Sequence, residues 1–489
     1  MTTSHYERLP FLDSTFLALE SAETPMHVGA TIVFEAGPLR TPEGGVDIDR
    51  IRGFVEAALQ YIPRYRQRLE WIPLERHPVW VDDEHFRLER HVRHTALPHP
   101  GTEEQLRAFA GHVFGQRLDR GKPLWEVWVV EGLDGDRFAL VSKVHHCMID
   151  GIAGVDLLKV LLSPIPDPVV SPADHYEPRP APTPAQLVVD EAFRRLQGFA
   201  AASVSLARFL EEGREVSDEV CHRLEAIVQS IRSGWFSNVS STPINGDIGP
   251  NRRVAWISTD LDEVKRIKNS LGGTVNDVVI AVIAGALRRF FTEDRGITVD
   301  GGDIRAMVPV SLRGDRGTGE LGNQITMWLI DLPVAEPDPA SRLKSVIAST
   351  TRSKEGDEAL GAATLTQTMS WTPGTLLSVA ARLAASTMRP FNLTITNVPG
   401  PQIPLYLLGA PMVANYPMVP LWASHGVGFA LFSYAGKIDW GLASDFDLVP
   451  DVDRLAGQIR AELDALLAAA DEAAAAAGEA TAVGEGAGG

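Results

Sequence analysis

The 489-residue chain is poor in cysteine, in long hydrophobic runs and in basic charge, and each shortage excludes something. Two cysteines, Cys147 and Cys221, are too few for a disulfide framework or a paired-cysteine zinc site. They fit a reducing compartment, so a cytoplasmic location is expected. The longest apolar run, Val278 to Leu287, reaches only half of the ~20 residues that a spanning helix needs. Met1 to Asp13 has no basic segment leading into an apolar core, so no secretory signal is expected. Lysine and arginine number 45 against 63 aspartates and glutamates, a formal net charge of -18. That balance argues against a nucleic-acid partner, which requires a basic footprint. It leaves room for a phosphorylated small ligand, for which a few local arginines suffice.

What is present is an ordinary globular composition, 45% hydrophobic and 22% charged, on a chain too long for one core. Two lobes are therefore expected. A proline-rich stretch, Ser163 to Gln186, cannot sustain a helix or a central strand and reads as an extended linker. It divides residues 1–162 from residues 187–467, and leaves 468–489 as an Ala/Gly-rich tail. The tail should begin as the end of a helix and then lose order. Val28 to Glu35 and Leu124 to Val130 are strand-like, and Ile48 to Ile62 is helix-like. After the linker, Leu187 to Trp235 reads as helical with a break near Gly213, followed by helices at Leu261–Leu271 and Asn276–Phe291. Both halves mix strands with helices, which predicts two α/β lobes around a cleft.

The chemistry concentrates in His145-His146-Cys147-Met148-Ile149-Asp150-Gly151. The strand-like Phe138 to Val144 runs into it, and a helix-like Ile152 to Leu162 follows, so the histidines sit where a strand ends and a loop begins. Imidazole is suited to proton transfer near neutral pH. Asp150 either fixes the tautomer of His146, as in a hydrolase triad, or turns away to pair with an arginine; spacing does not choose. Gly151 permits a tight turn. A metal site would need further ligands, and no HExxH or second His/Cys cluster accompanies these residues, so no metal is expected. Cys147 alternates away from His146 in an extended segment and reads as a buried thiol rather than a nucleophile.

His145 to Gly151 matches the HHxxxDG motif of the CoA-dependent acyltransferase superfamily, which also holds peptide-synthetase condensation domains. More narrowly, the chain resembles the bacterial wax ester synthase/acyl-CoA:diacylglycerol acyltransferases. Leu12-Asp13 and Glu23-Thr24-Pro25-Met26-His27-Val28-Gly29 resemble that family's amino-terminal signature, Pro123-Leu124-Trp125 its PLW motif and Asn276-Asp277 its ND motif. Val308 to Arg313, Leu321 to Gln324 and Thr396 to Pro401 also read like it.

The resemblance implies an α/β, two-lobed chloramphenicol acetyltransferase-like fold with an active-site tunnel between the lobes. It implies transfer of a long-chain acyl group from acyl-CoA, a substrate rather than a cofactor, to diacylglycerol or a long-chain alcohol. His146 would be the general base, with His145 shaping the loop. Asp150 would pair with an arginine of its own lobe, for which Arg66 is chosen although alternation places Arg64 and Arg68 together on one side. Thr394, Thr396 and Asn397 are the oxyanion candidates, and Arg252, Arg253, Arg313 and Arg316 the candidates for the CoA phosphates. Pro123, Leu124 and Trp125 either pack the core or line the pocket. Asn276 and Asp277 open a helix, where Asn or Asp also caps. Two greasy substrates imply peripheral contact with the inner membrane face or lipid droplets. The resemblance to actinobacterial triacylglycerol synthases favours diacylglycerol as acceptor. A condensation-like amide-forming enzyme and a non-catalytic lipid-binding protein of the same fold are the competing readings.

Overall fold

Runs rich in β-branched and aromatic residues form the strands, and capped or amphipathic runs form the helices. The computed structural model describes residues 5–148, 160–167, 175–196, 239–299, 304–311, 325–359 and 389–486. The first part contains β1 (Glu7–Arg8), α1 (Phe11–Leu19), β2 (His27–Glu35), α2 (Ile48–Ala58), β3 (Gln67–Trp71), β4 (Pro78–Asp82), β5 (Val92–Ala96), α3 (Glu103–Gly115), β6 (Trp125–Leu133) and β7 (Arg137–His145). After α4 (184–196) come β8 (Arg252–Asp260), α5 (Leu261–Leu271), α6 (Val275–Arg289), β9 (Ile304–Ser311), β10 (Ile325–Leu332) and α7 (Pro339–Ala359). The chain closes with β11 (Leu393–Pro399), β12 (Tyr406–Leu407), β13 (Ala410–Met418), β14 (Val427–Tyr434), β15 (Lys437–Asp445) and α8 (Val452–Gly486).

The strands build two six-stranded sheets, ordered β12-β13-β2-β7-β6-β5 and β10-β9-β11-β14-β15-β8, and a small sheet β1-β4-β3. The first sheet thus borrows β12 and β13 from the second half of the chain, and the division into 1–162 and 187–467 is not the division of the sheets. The physical reason lies in β2, which would otherwise expose an edge of unpaired N–H and C=O groups. Instead β13 pairs antiparallel with β2 from Met412↔Phe34 to Met418↔Gly29.

In the second lobe, α6 is the buried centre. Val278 to Leu287 is apolar on all sides because α5, α7, α8 and the second sheet surround it. No single described helix is long and apolar enough to cross a membrane, although α5 and α6 as a bent pair pass by length and composition.

The lobes meet where α3 packs on β8. Leu106, Ala110, Val113 and Phe114 share one apolar cluster with Val254 and Trp256. Gly111 allows the approach, since a Cβ there would stand 2.7 Å from the Arg252 carbonyl oxygen.

Two expectations need correction. Helix α4 starts inside the proposed linker, because Thr183 and Gln186 form a reciprocal cap and Pro184 suits the first turn. The residues before it are not free either: Arg179 forks onto Asp82 at 2.8 Å through each of two nitrogens. The alanine-rich tail, in turn, is helical over more than a short end. Helix α8 runs on to Gly486, as the high helix propensity of alanine allows.

Candidate active site

Strand β7 ends at His145, and a single 3-10 turn, His146–Met148, follows. Two segments from elsewhere hold this junction by their backbones. His145 N–H donates to the Leu124 carbonyl at 2.9 Å, and His146 N–H donates to the Met26 carbonyl at 2.8 Å. The Pro123-Leu124-Trp125 and Met26-His27-Val28-Gly29 segments therefore each fix one histidine. Gly29 belongs to the same device: a Cβ there would lie 2.7 Å from the Ser142 carbonyl oxygen on β7.

The His145 ring is spent on structure. Its Nδ1 accepts from Cys147 N–H at 3.2 Å, which leaves the proton on Nε2. That nitrogen faces Glu20 Oε1 at 3.5 Å, an electrostatic contact without a well-formed hydrogen bond among the described residues, with both side chains buried. Arg120 holds the other oxygen of Glu20 through Nη2 at 2.7 Å and Nε at 3.0 Å. Burial alone would raise the Glu20 pKa, but His145 and Arg120 outweigh it and bring it to about 2. Cys147 is buried, and burial pushes its thiol well above the usual range, as suits a packing residue.

His146 is placed differently. Its ring stacks on Phe16 of α1, with centroids 3.8 Å apart and 18° between planes. Nδ1 is buried, turned toward its own main chain, and has no well-formed hydrogen bond among the described residues. Burial, with His145 alongside, lowers its pKa to about 4, so at neutral pH the imidazole is uncharged. A buried neutral imidazole can take a proton from a hydroxyl brought to it.

Asp150 and Gly151 lie outside the described residues, as do Arg313 and Arg316. Arg66 is buried, donates through Nη2 to the Glu56 carbonyl at 3.1 Å and lies over the Tyr176 ring at 4.9 Å. Arg64 pairs with Glu7 at 2.7 Å and Arg68 with Glu70 at 2.8 Å. Strand alternation does not relate these three arginines, because Pro63–Arg66 is a 3-10 turn and β3 begins only at Gln67.

Trp125 is a core residue: its indole N–H donates to the Tyr65 carbonyl at 2.7 Å and its ring stacks on His91. Pro123 and Leu124 are also buried. Asn276 and Asp277 do not open α6 as N-caps, because the helix starts at Val275 and Thr274 is the cap. Asp277 is the third helical residue, with Oδ2 accepting from Thr274 N–H at 2.7 Å and Oδ1 from the Thr350 hydroxyl at 2.7 Å.

Along β11, alternation puts Thr394 and Thr396 on one face and Asn397 on the other, with the core residues Leu393 and Ile395. The Thr394 hydroxyl is buried without a partner among the described residues. Arg252 is buried, and its guanidinium is used up on the carbonyls of Gly249, Asn251 and Glu23, with Asp445 at 3.7 Å. It clasps the lobes together and is not open to a CoA phosphate. Arg253 is half-buried over Phe446, 3.9 Å from the ring centroid.

Sequence reasoning passed over Phe16, Glu20, Arg120 and Trp422. The available signal was the spacing of Phe16 and Glu20, one helical turn apart just before the Glu23–Gly29 segment.

Two lobes, of which the first takes two strands from the second half of the chain, with a buried histidine at a strand end, define the CoA-dependent acyltransferase class of fold. A starter condensation domain of rhizomide synthetase shares that fold, with a TM-score of 0.55 over 96% of this chain and 95% of its own, at 11% identity. Within the class, the model of the wax ester synthase/diacylglycerol acyltransferase catalytic domain matches residues 9–279, and that of the family's C-terminal domain matches 321–467. The chain belongs to the wax ester synthase/diacylglycerol acyltransferase family. It is 35% identical to a Mycobacterium tuberculosis protein provisionally named a diacylglycerol O-acyltransferase, over 95% of this chain and 91% of that one. It is 29% identical to the O-acyltransferase WSD of Acinetobacter baylyi, over 92% and 95% of the two chains. The wax ester synthase/diacylglycerol acyltransferase of Marinobacter aquaeolei superposes with a TM-score of 0.67 at 25% identity, over 95% of this chain and all of that one.

Proposed function

We propose that this acyltransferase moves a long-chain acyl group from acyl-CoA to diacylglycerol or a long-chain alcohol, with His146 as general base. The observation that carries the assignment is the buried His146 ring at the end of β7, stacked on Phe16, whose burial lowers its pKa to about 4 and favours the uncharged imidazole that a base requires. Nε2 takes the hydroxyl proton as the oxygen attacks the thioester carbonyl. The tetrahedral oxyanion collapses, the carbon–sulfur bond breaks, and the imidazolium returns the proton to the thiolate. CoA thiol and the ester leave. Thr394 is the favoured oxyanion donor, because its hydroxyl is buried and has no partner among the described residues. The named activities of the Mycobacterium and Acinetobacter relatives support diacylglycerol as one acceptor and the O-acyltransferase chemistry in general.

Purified protein with palmitoyl-CoA and either diacylglycerol or hexadecanol tests the reading, with lipid products resolved. Triacylglycerol should form and disappear in His146→Ala. Unaltered ester formation by that variant removes His146 as base, and a strong preference for hexadecanol overturns the choice of acceptor.

Peripheral contact with a membrane or lipid droplet is part of the same proposal. On α4, Val189, Phe193 and Leu196 are 66%, 62% and 67% exposed along one helical stripe. Glu191 anchors the helix to Arg8. Phe193→Ser should weaken flotation with triolein droplets, and unchanged flotation removes α4 as the contact.

A further inference from the structure

Helix α1 delivers side chains one turn apart to the two adjacent histidines. Glu20, its C-cap, faces His145, and Phe16 lies on His146. Phe16 also meets Trp422, which follows β13, with ring centroids 6.3 Å apart and 51° between planes. Trp422 in turn stands edge-on to Phe391 at 6.1 Å. Phe391 lies two residues before the start of β11, which carries Thr394 and Thr396. A row of aromatic rings thus crosses from the histidine on the first sheet to the start of β11 in the second.

His146 needs such a support. Rotation of an imidazole about its second side-chain torsion is broad and roughly two-fold, so packing or a hydrogen bond must choose the ring plane. Nδ1 of His146 receives no side-chain hydrogen bond among the described residues. The Phe16 ring is the group that lies flat against it.

We propose that Phe16 is a positioning residue that sets the plane of the His146 imidazole by stacking and, through Trp422, ties that plane to the second lobe. The proposal rests on the reading of His146 as general base. The ring acts only through His146; it touches no reacting atom.

The test compares Phe16→Leu, Phe16→Tyr, Trp422→Leu and His146→Ala in the full-length enzyme with palmitoyl-CoA and diacylglycerol. Rates, pH profiles and thermal unfolding are measured for each. Phe16→Leu should lower kcat roughly 10- to 100-fold, the scale expected when a reacting group is misaligned. KM for palmitoyl-CoA should stay within about twofold, because no substrate contact is removed. The acid limb of the profile should move up in pH as water reaches the imidazole. His145 is the titratable group that bears on the His146 ring, and Asp13, Arg120, Glu20 and Arg64 surround the neighbouring Cys147. Phe16→Tyr, which keeps a flat ring, should restore most of kcat, and the losses from Phe16→Leu and Trp422→Leu should be non-additive.

Wild-type kcat and an unmoved acid limb in Phe16→Leu, alongside an inactive His146→Ala, overturn the stacking role alone. Full activity in His146→Ala overturns the base assignment and this proposal with it. A loss in Phe16→Leu that tracks only unfolded protein, without rescue by tyrosine, also overturns it.

Discussion

Glu20 and His145 face each other across 3.5 Å, and the pair fixes which nitrogen of His145 carries its proton. Cys147 N–H occupies Nδ1, so the proton sits on Nε2, which faces the Glu20 carboxylate. Arg120 keeps Glu20 charged. His145 is thereby excluded from acting as a second base, while its backbone N–H on the Leu124 carbonyl holds the end of β7 in place for His146. The two histidines divide the work, one ring fixed by a charge network and the other left neutral.

Glu20→Ala should be destabilising. It takes from Arg120, which is part-exposed and keeps the Leu17 carbonyl, its carboxylate partner, and from His145 Nε2 the charge it faces, a change that costs about 1–3 kcal/mol. The Glu20 pKa is lowered to about 2 in the folded chain from an ordinary 4.5. Its stabilisation is therefore fully present above pH 4.5 and is lost as pH falls through about 2. Urea unfolding of wild type and variant at pH 7 and pH 3 checks this: the gap between them should shrink at pH 3. A gap that stays constant removes the charge network as its source.

The acid limb of kcat/KM should lie near pH 4 rather than near 6.5. Burial, with His145 adding to it, lowers the His146 pKa to about 4, so the imidazole proposed as base is unprotonated across the neutral range. Activity should be flat from about pH 5.5 to 7.5, where a base of that pKa carries no proton. The same lowering makes stability full above pH 6.5 and lost as pH falls through about 4. A limb centred near 6.5 would mean a hydrated imidazole and would contradict the buried ring.

Arg252→Ala should damage folding and leave acyl-CoA binding alone. The guanidinium sits on three backbone carbonyls and beside buried Asp445 at 3.7 Å, so its removal leaves those carbonyls without their donor and takes the countercharge from a carboxylate that keeps its backbone N–H bonds. A loss of about 3–5 kcal/mol is expected, with KM for palmitoyl-CoA unchanged. Arg253→Ala is the control, since that side chain is half-exposed over Phe446. A large rise in KM at undiminished stability would return Arg252 to the CoA site.

Local spacing made much of this legible. The HHxxxDG motif, the strands around it and the apolar run of α6 all follow from residue order, and the helix at Leu261–Leu271 was read with its observed limits. Long-range partners were not legible, because a carbonyl gives no sign of which N–H it will meet. Leu124 and Met26 hold the histidines with backbone atoms, for which side-chain identity is silent. The crossing of β13 into the first sheet was hidden for a related reason: its alternation fits any open edge. Glu20 and Phe16 carried a weak signal, one-turn spacing on a short helix, that gains meaning only once α1 is seen against the histidine turn.

Asp277 offers the last test, of whether the Asn276-Asp277 pair does chemistry or builds the helix beneath it. Oδ2 is taken by the Thr274 N–H at 2.7 Å and hydroxyl at 2.8 Å, and Oδ1 by the Thr350 hydroxyl from α7 at 2.7 Å. With both oxygens engaged, the carboxylate ties the start of α6 to α7 and has no lone role left for substrate. Asp277→Ala removes half of a capping box and one acceptor of the Thr350 hydroxyl, which keeps the Ile347 carbonyl at 3.1 Å, for a loss of about 1–2 kcal/mol. Activity per folded molecule should stay within about threefold of wild type, since no transition-state contact is lost. Denaturant unfolding and kcat, normalised to folded protein, separate the two roles. A drop of orders of magnitude in kcat at unchanged stability would place Asp277 among the reacting groups and refute the capping role.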